Sequence, residues 1–235
     1  MSALLSATGL ALPGRLLATD LEIDEPALVC LVGPNGSGKT SLLHALAGIG
    51  APEGHVRISG VDRDKAGPAE RRRLLAYLPA AREAAWPVTV RDLVGLGLPA
   101  DADQGEADAA IASLELEPFA KRRIDQLSTG ERSRALIARA LAPKPRLLLL
   151  DEPVANLDPR WQLKLMELLK AAVAQGQAVL IALHDLDLAG RYAERLIVMD
   201  GKRIEADGDP RTIMGGDAIR TVFGIEKGAE GWRPA

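Results

Sequence analysis

Cysteine is almost missing from this chain: Cys30 is the only one in 235 residues. That excludes a disulfide framework and any cysteine-built zinc site. Its place in an apolar run marks Cys30 as a small buried hydrophobe. Aromatics are also scarce, at 3%, and none precedes Tyr77. No apolar run approaches the ~18 residues of a membrane span. The longest candidates, such as Leu147 to Leu150, are strand-sized. Charge of one sign is lacking too: the net charge is −3, so non-specific nucleic-acid binding has no electrostatic support. There is no internal repeat and no low-complexity linker. Met1 to Pro13 is apolar but has no basic residue before Arg15, which argues against a cleaved signal peptide. What is present is the balance of a soluble globular chain, 47% apolar and 26% charged. The length suits one large domain, or a core with a smaller insert. The expectation is a cytoplasmic protein.

The hydrophobic pattern alternates between strands and helices. Ala27 to Val32 (ALVCLV), Arg146 to Leu150 and Val179 to Leu183 (VLIAL) are short continuous apolar runs, the mark of strands buried on both faces. Thr40 to Ala47 has helical spacing and Gly48 as its stop. Val56 to Ser59 reads as a strand entering a turn. Glu70 to Ala76 reads as a basic helix leading to Tyr77-Leu78. Thr89 to Leu96, Glu106 to Leu114 and Glu131 to Ala142 have helical patterns. Asp158 is placed to N-cap a helix with Pro159 at its first position, running to about Gln175 and stopped by Gly176. Arg195 to Met199 and Arg203 to Ala206 read as a hairpin joined through Asp200-Gly201 in a type I′ turn. The alternation predicts a mostly parallel sheet covered on both faces. The stretch from about Ala80 to Leu127 has helices but no strong strand and reads as a helical insert.

Four segments carry chemistry. Gly33-Pro34-Asn35-Gly36-Ser37-Gly38-Lys39-Thr40 matches G-x-x-x-x-G-K-[ST], with the required strand before and helix after. Its glycines let successive backbone N–H groups face phosphate oxygens, and the helix adds its positive end. Lys39 supplies a charge to the β- and γ-phosphates, and the Thr40 hydroxyl a ligand for Mg²⁺. Asp151 and Glu152 end the LLLL run, at the edge of the sheet where ligands bind in open α/β folds. Asp151 suits Mg²⁺ through water, and Glu152 suits orienting or deprotonating an attacking water. His184 follows the VLIAL strand, and the same topology puts its imidazole near the γ-phosphate; Asp185 is free to cap the next helix. His44 and His55 have no such setting and receive no role. Finally, Leu127-Ser128-Thr129-Gly130-Glu131 opens a helix. Its S-x-x-E spacing fits a capping box, and the same helix start is a second anion site; from the residues alone the capping box is the simpler reading.

Taken together, these segments resemble the ATP-binding-cassette (ABC) ATPases, in order and spacing, over essentially the whole chain. GPNGSGKT is similar to Walker A, and the block's next residue, Ser41, joins it as a nucleotide contact. LLLLDEP is similar to Walker B with Glu152 as its catalytic residue. LSTGE is similar to the signature LSGGQ, Ala155-Asn156-Leu157-Asp158 to the D-loop, and His184 to the switch histidine. The resemblance implies an α/β fold: a P-loop NTPase (RecA-like) core with a mostly parallel sheet, an N-terminal antiparallel β subdomain and a helical insert. Residues 1–79 and 140–235 would form the core and about 80–139 the helical part. It implies ATP and Mg²⁺, and a head-to-tail dimer of two copies with ATP between them. Ser128 and Gly130 of one copy would then meet the γ-phosphate held by Lys39 of the other, so the two anion sites serve different nucleotides.

The chain departs from the family in three places. The usual Tyr-Leu-Pro-Gln reads Tyr77-Leu78-Pro79-Ala80, and Ala80 cannot ligate Mg²⁺ or position water; water or a neighbour such as Glu83 would have to substitute, or the role is lost. No aromatic precedes Tyr77 to stack on adenine; either Arg15 lays its guanidinium on the base or it is a solvated surface residue. Thr129 and Glu131 stand where Gly and Gln are commoner. Residues Trp86 to Gly97 and His184 to Ala193 are similar to cassettes of importers for iron–siderophore chelates, haem and vitamin B12. That implies an ATP-hydrolysing subunit on the cytoplasmic face of the membrane, two membrane-spanning permease subunits, an external binding protein and no nucleic-acid partner. A permease helix would dock near Ala80 to Asp92, with Trp86 either a contact or a core residue. An exporter or lipoprotein-release cassette, a soluble cassette acting on nucleic acid, and a nucleotide-gated module that hardly hydrolyses are the other readings. The Thr89 to Gly97 stretch, the single acidic cassette, and Glu152 with His184 weigh against them in turn.

Overall fold

The computed structural model describes residues 3–81, 87–228 and 231–235. In chain order these form β1 (Leu5–Leu12), β2 (Leu16–Ile23), β3 (Leu28–Val32), α1 (Lys39–Ala47), β4 (Glu53–Ile58), β5 (Val61–Asp62), α2 (Pro68–Leu74) and β6 (Leu75–Leu78). Then come α3 (Val90–Gly95), α4 (Gln104–Ser113), α5 (Thr129–Leu141), β7 (Leu147–Asp151), α6 (Pro159–Ala174), β8 (Ala178–Ala182) and α7 (Leu186–Tyr192). The chain ends with β9 (Arg195–Asp200), β10 (Arg203–Gly208), α8 (Pro210–Met214), α9 (Asp217–Phe223), β11 (Ile225–Gly228) and β12 (Gly231–Pro234).

The central sheet has the order β10-β9-β3-β8-β7-β6, parallel except for β10. The three apolar runs are its middle strands β3, β8 and β7, buried at every residue. Alternate residues serve different cores. Leu28, Cys30 and Val32 of β3, with Leu148 and Leu150 of β7, pack on one face against Leu165, Met166 and Leu169 of α6. Val29, Leu31, Leu147 and Leu149 pack on the other face against Leu42, Leu43 and Leu46 of α1. Cys30 is fully buried and burial pushes its thiol up to about 12, as suits an inert filler.

A second, antiparallel sheet of order β2-β1-β4-β5 covers α1 from outside. This is the N-terminal antiparallel β subdomain that the family resemblance implies, although the hydrophobic pattern alone assigns no strand to its β1–β2 hairpin. Helices α3, α4 and α5 pack together as the expected insert, and α5 buries Ala135, Ile137 and Ala138.

Three local expectations need correction. The helix read as Glu70 to Ala76 ends at Leu74, because Leu75 and Ala76 pair with Leu147 and Leu148 of β7; the sheet's hydrogen bonds outweigh helical spacing there. The hairpin turn is Gly201-Lys202 rather than Asp200-Gly201: Asp200 pairs with Arg203, and both turn residues have positive φ, 51° and 68°, as type I′ requires. The helix read as Glu131 to Ala142 starts two residues earlier, at Thr129, with Ser128 as its N-cap. Residues 210–228 and 231–234, for which the pattern suggested nothing, form α8, α9 and the antiparallel pair β11 and β12.

Candidate active site

The loop from Gly33 to Gly38 leaves β3 and enters α1 at the carboxyl edge of the sheet. It is packed too tightly for a side chain at Gly33, while Gly36 has a positive φ of 79° that other residues rarely adopt. A Cβ on Gly33 would come 2.3 Å from the Met199 carbonyl oxygen, and Gly38 N-caps α1 with φ 107°. Lys39 Nζ is held over the loop, donating to the carbonyls of Gly33 (2.7 Å) and Pro34 (3.1 Å). Burial lowers its pKa, while Glu152 and Asp151 act the other way.

Loop and neighbours enclose a cavity of about 380 Å³ lined by Gly14, Arg15, residues 35–41, Glu152 and Lys202. Asn35, Gly36, Ser37, Gly38, Lys39, Thr40 and Ser41 therefore meet Arg15 and Glu152 as expected; Gly33 and Pro34 supply the carbonyls that hold Lys39. Arg15 is exposed, with Nη2 3.4 Å from Nδ1 of His44, so its guanidinium stands at the cavity rim. His44, given no role, packs edge-on against the Tyr77 ring at 5.5 Å.

Asp151 closes β7 and is wholly buried, with no hydrogen-bond partner of good geometry for either carboxylate oxygen. Burial raises its pKa, and the nearby Thr40 hydroxyl opposes that shift. The Tyr77 hydroxyl, also buried and unpartnered, lies near enough to feel the Asp151 charge. Orphaned buried acceptors are rare and point to a missing partner. A carboxylate beside a hydroxyl is an oxygen donor set that suits Mg²⁺, which binds through one or two carboxylates plus phosphates and water. No cluster of three or more His, Cys, Asp or Glu residues that could cage a metal occurs among the described residues.

Glu152 follows with φ 49°, a strained backbone for a non-glycine residue, held by its N–H donating to the Ala182 carbonyl at 3.2 Å. This turn brings Oε1 to 2.5 Å from Nε2 of His184 at the end of β8. The two residues, 32 apart in sequence, meet because β7 and β8 are parallel neighbours.

Ser128 to Glu131 do not line this cavity. The capping box forms: Glu131 Oε2 accepts from the Ser128 N–H and Oγ, both at 2.8 Å, and Ser128 Oγ accepts from the Glu131 N–H at 3.3 Å. The Ser128 backbone bond chiefly holds the Glu131 carboxyl below its usual value. Leu127 is buried beneath, Thr129 is exposed, and a Cβ on Gly130 would lie 3.6 Å from the carbonyl oxygen of Asn156. Signature and D-loop segments thus lie side by side. Asp158 caps α6 by accepting from the Trp161 N–H at 3.0 Å.

Ala80 is exposed, and Glu83 and Trp86, named above as its substitute and as a docking contact, lie outside the described residues. Lys202 escaped the sequence reading altogether: nothing local shows that the β9–β10 turn lands on the phosphate-loop segment.

A parallel sheet with a lysine-bearing glycine loop at its carboxyl edge and an acid–imidazole pair beside it defines a nucleotide-binding cassette. The profile of the family described as ABC transporter matches residues 16–155. The hemin import ATP-binding protein HmuV of Rhodopseudomonas palustris is 40% identical, over 93% of this chain and 87% of its own length. The cobalamin import ATP-binding protein BtuD of Halobacterium salinarum is 38% identical over 93% of this chain; the match spans 58% of that relative's length. Among solved structures, an ATP binding subunit of an ABC transporter superposes with TM-score 0.80 at 25% identity, covering 94% of this chain and 93% of its own. The cassette MJ0796, solved as a dimer, superposes at 0.79 with 28% identity, covering 88% and 99%. The chain belongs to the ABC transporter family.

Proposed function

We propose that this chain is the ATP-hydrolysing subunit of an importer for a metal-chelate cargo of the haem, cobalamin or iron–siderophore type. The observation that carries the reading is the Glu152–His184 pair at 2.5 Å beside the Lys39 loop. The hemin and cobalamin import roles named for the relatives support the cargo class.

In this reading residues 33–41 bind the triphosphate, with Lys39 at the β- and γ-phosphates and Arg15 at the base. Thr40 and Asp151 would hold Mg²⁺, which would supply positive charge beside the phosphates. Glu152 accepts a proton from water as the water oxygen attacks the γ-phosphorus. The bond from that phosphorus to the β–γ bridging oxygen breaks, and ADP and phosphate leave. His184 holds the Glu152 carboxylate and faces the γ-phosphate. Residues 1–79 and 140–235 act as the nucleotide-binding core, and about 80–139 as the helical part.

Leu127, Ser128, Thr129, Gly130 and Glu131 serve the nucleotide of a second copy, joined head to tail, with Asp158 as the D-loop residue. The exposure of Ser128 and Thr129, outside the chain's own cavity, and the place of Gly130 beside Asn156 support a role across such an interface. Among the described residues no helix is long and apolar enough to cross a membrane. The chain would work at the cytoplasmic membrane face, bound to two permease subunits and served indirectly by an external binding protein. An apolar cavity of about 310 Å³ lined by Tyr77, Leu78, Pro79, Ala81, Leu93 and Leu96, among others, supports docking of a permease segment there.

The test is Glu152→Gln. Turnover should drop by at least about 10²-fold while ATP binding persists and a dimer becomes isolable by size exclusion with light scattering. Hydrolysis at the parental rate would remove Glu152 from the role of base.

A further inference from the structure

Lys202 occupies the second position of the β9–β10 turn with φ 68°, a backbone that glycine adopts freely and a lysine does not. A turn that served only to reverse the chain would favour Gly or Asn at this position. The residue is fastened on every side. Its N–H donates to the Ser37 carbonyl at 3.0 Å, its own carbonyl accepts from the Leu17 N–H at 2.9 Å, and Nζ donates to the Gly14 carbonyl at 2.8 Å. A Cβ on Gly38 would come within 3.1 Å of its Cα. The turn is therefore docked on the Lys39 loop; Lys202 lines the same cavity, and its Nζ bonds the carbonyl of Gly14, another lining residue.

An ammonium has three donors, and the Gly14 carbonyl engages one. The charged residues lining the cavity are Arg15, Lys39, Lys202 and Glu152, a surplus of positive charge. Such a surplus suits a polyphosphate, whose oxygens make charge-assisted hydrogen bonds. We infer that Lys202 is a nucleotide-binding residue, its ammonium bonding a phosphate oxygen of the nucleotide held on the loop. This rests on the reading of that cavity as the nucleotide site. The left-handed backbone is then the cost of placing a cation where a glycine would make the easier turn.

The test is calorimetric titration of the full chain with Mg–ATP, Mg–ADP and adenosine. Lys202→Gly removes the ammonium and relaxes the backbone; Lys202→Gln keeps a long polar side chain without charge. Both variants should bind ATP and ADP about five- to tenfold more weakly and adenosine as the parent does. Lys202→Gly should melt no lower than the parent. Unchanged ATP and ADP affinities in both variants overturn the inference, as does a drop in melting temperature with affinities intact. Lys39→Ala separates the two ideas. If it binds Mg–ATP as tightly as the parent, the reading of the loop itself fails; if it loses binding while the Lys202 variants keep theirs, only Lys202 is misassigned.

Discussion

His184 Nε2 stands 2.5 Å from Glu152 Oε1, bridging the carboxyl ends of β8 and β7. Neither residue is sealed off: the His184 side chain is 48% exposed and that of Glu152 29%, so water and a phosphate both have access. Replacing His184 by Ala should cut turnover about 10²-fold or more while leaving nucleotide affinity within a few fold. Phosphate release and equilibrium binding, measured on one preparation, check the split.

Asp151 is a fully buried carboxylate whose oxygens have no hydrogen-bond partner of good geometry. Burial raises its folded-state pKa above 3.8, so the folded chain holds that proton more tightly than the unfolded one. Stability from this group is therefore greatest below the unfolded value and falls as pH rises through the folded one. At neutral pH, Asp151→Asn should raise the melting temperature of the nucleotide-free chain, by about 2–4 °C per kcal/mol relieved. The further rise on adding Mg–ATP should shrink. Thermal melts with and without Mg–ATP show both.

Glu131 has the opposite sign. Its bonds to the Ser128 N–H and Oγ hold its pKa below 4.5. The stability it contributes is present above the unfolded value and lost as pH falls through the folded one. Glu131→Gln should cost about 0.5 kcal/mol at pH 7 and flatten the acid limb of stability. Urea unfolding of both chains at pH 7 and near pH 4 is the measurement; equal acid slopes would count against the capping carboxylate.

Trp161 fastens the insert to the core. It is 8% exposed, with the Arg134 guanidinium 4.2 Å and the Lys164 ammonium 4.8 Å from its ring. Arg134 in turn donates to the Leu114 carbonyl at 2.6 Å. Trp161→Ala should destabilise the chain by about 3–5 kcal/mol in urea titration, and Trp161→Phe by much less.

In the proposed reading Arg15, at the rim of the cavity, is the residue that meets the base. A guanidinium lies on any flat ring, purine or otherwise, with little regard to its edge pattern. ATP and GTP should be turned over within about threefold of each other. Strict preference for ATP in a side-by-side assay would show that another residue reads the base.

Much of this protein is settled by local order. The apolar runs of β3, β7 and β8 can only be strands sealed on both faces. The glycines of residues 33–38 permit a loop with backbone angles that other residues rarely adopt, and Ser128 and Asp158 announce the helices they cap. Each of these depends on neighbours within a few residues, so a one-dimensional pattern carries them. Contacts between distant segments are different. Leu75 and Ala76 became strand because β7 offered hydrogen bonds, and the N-terminal segment became a hairpin because β4 lay beside it. The orphaned state of Asp151, the strained turn at Glu152 and the landing of Lys202 on the Ser37 carbonyl exist only once the sheet has assembled. Periodicity encodes which face of an element is apolar; which partner covers it, and which polar atom is left without one, is decided by packing.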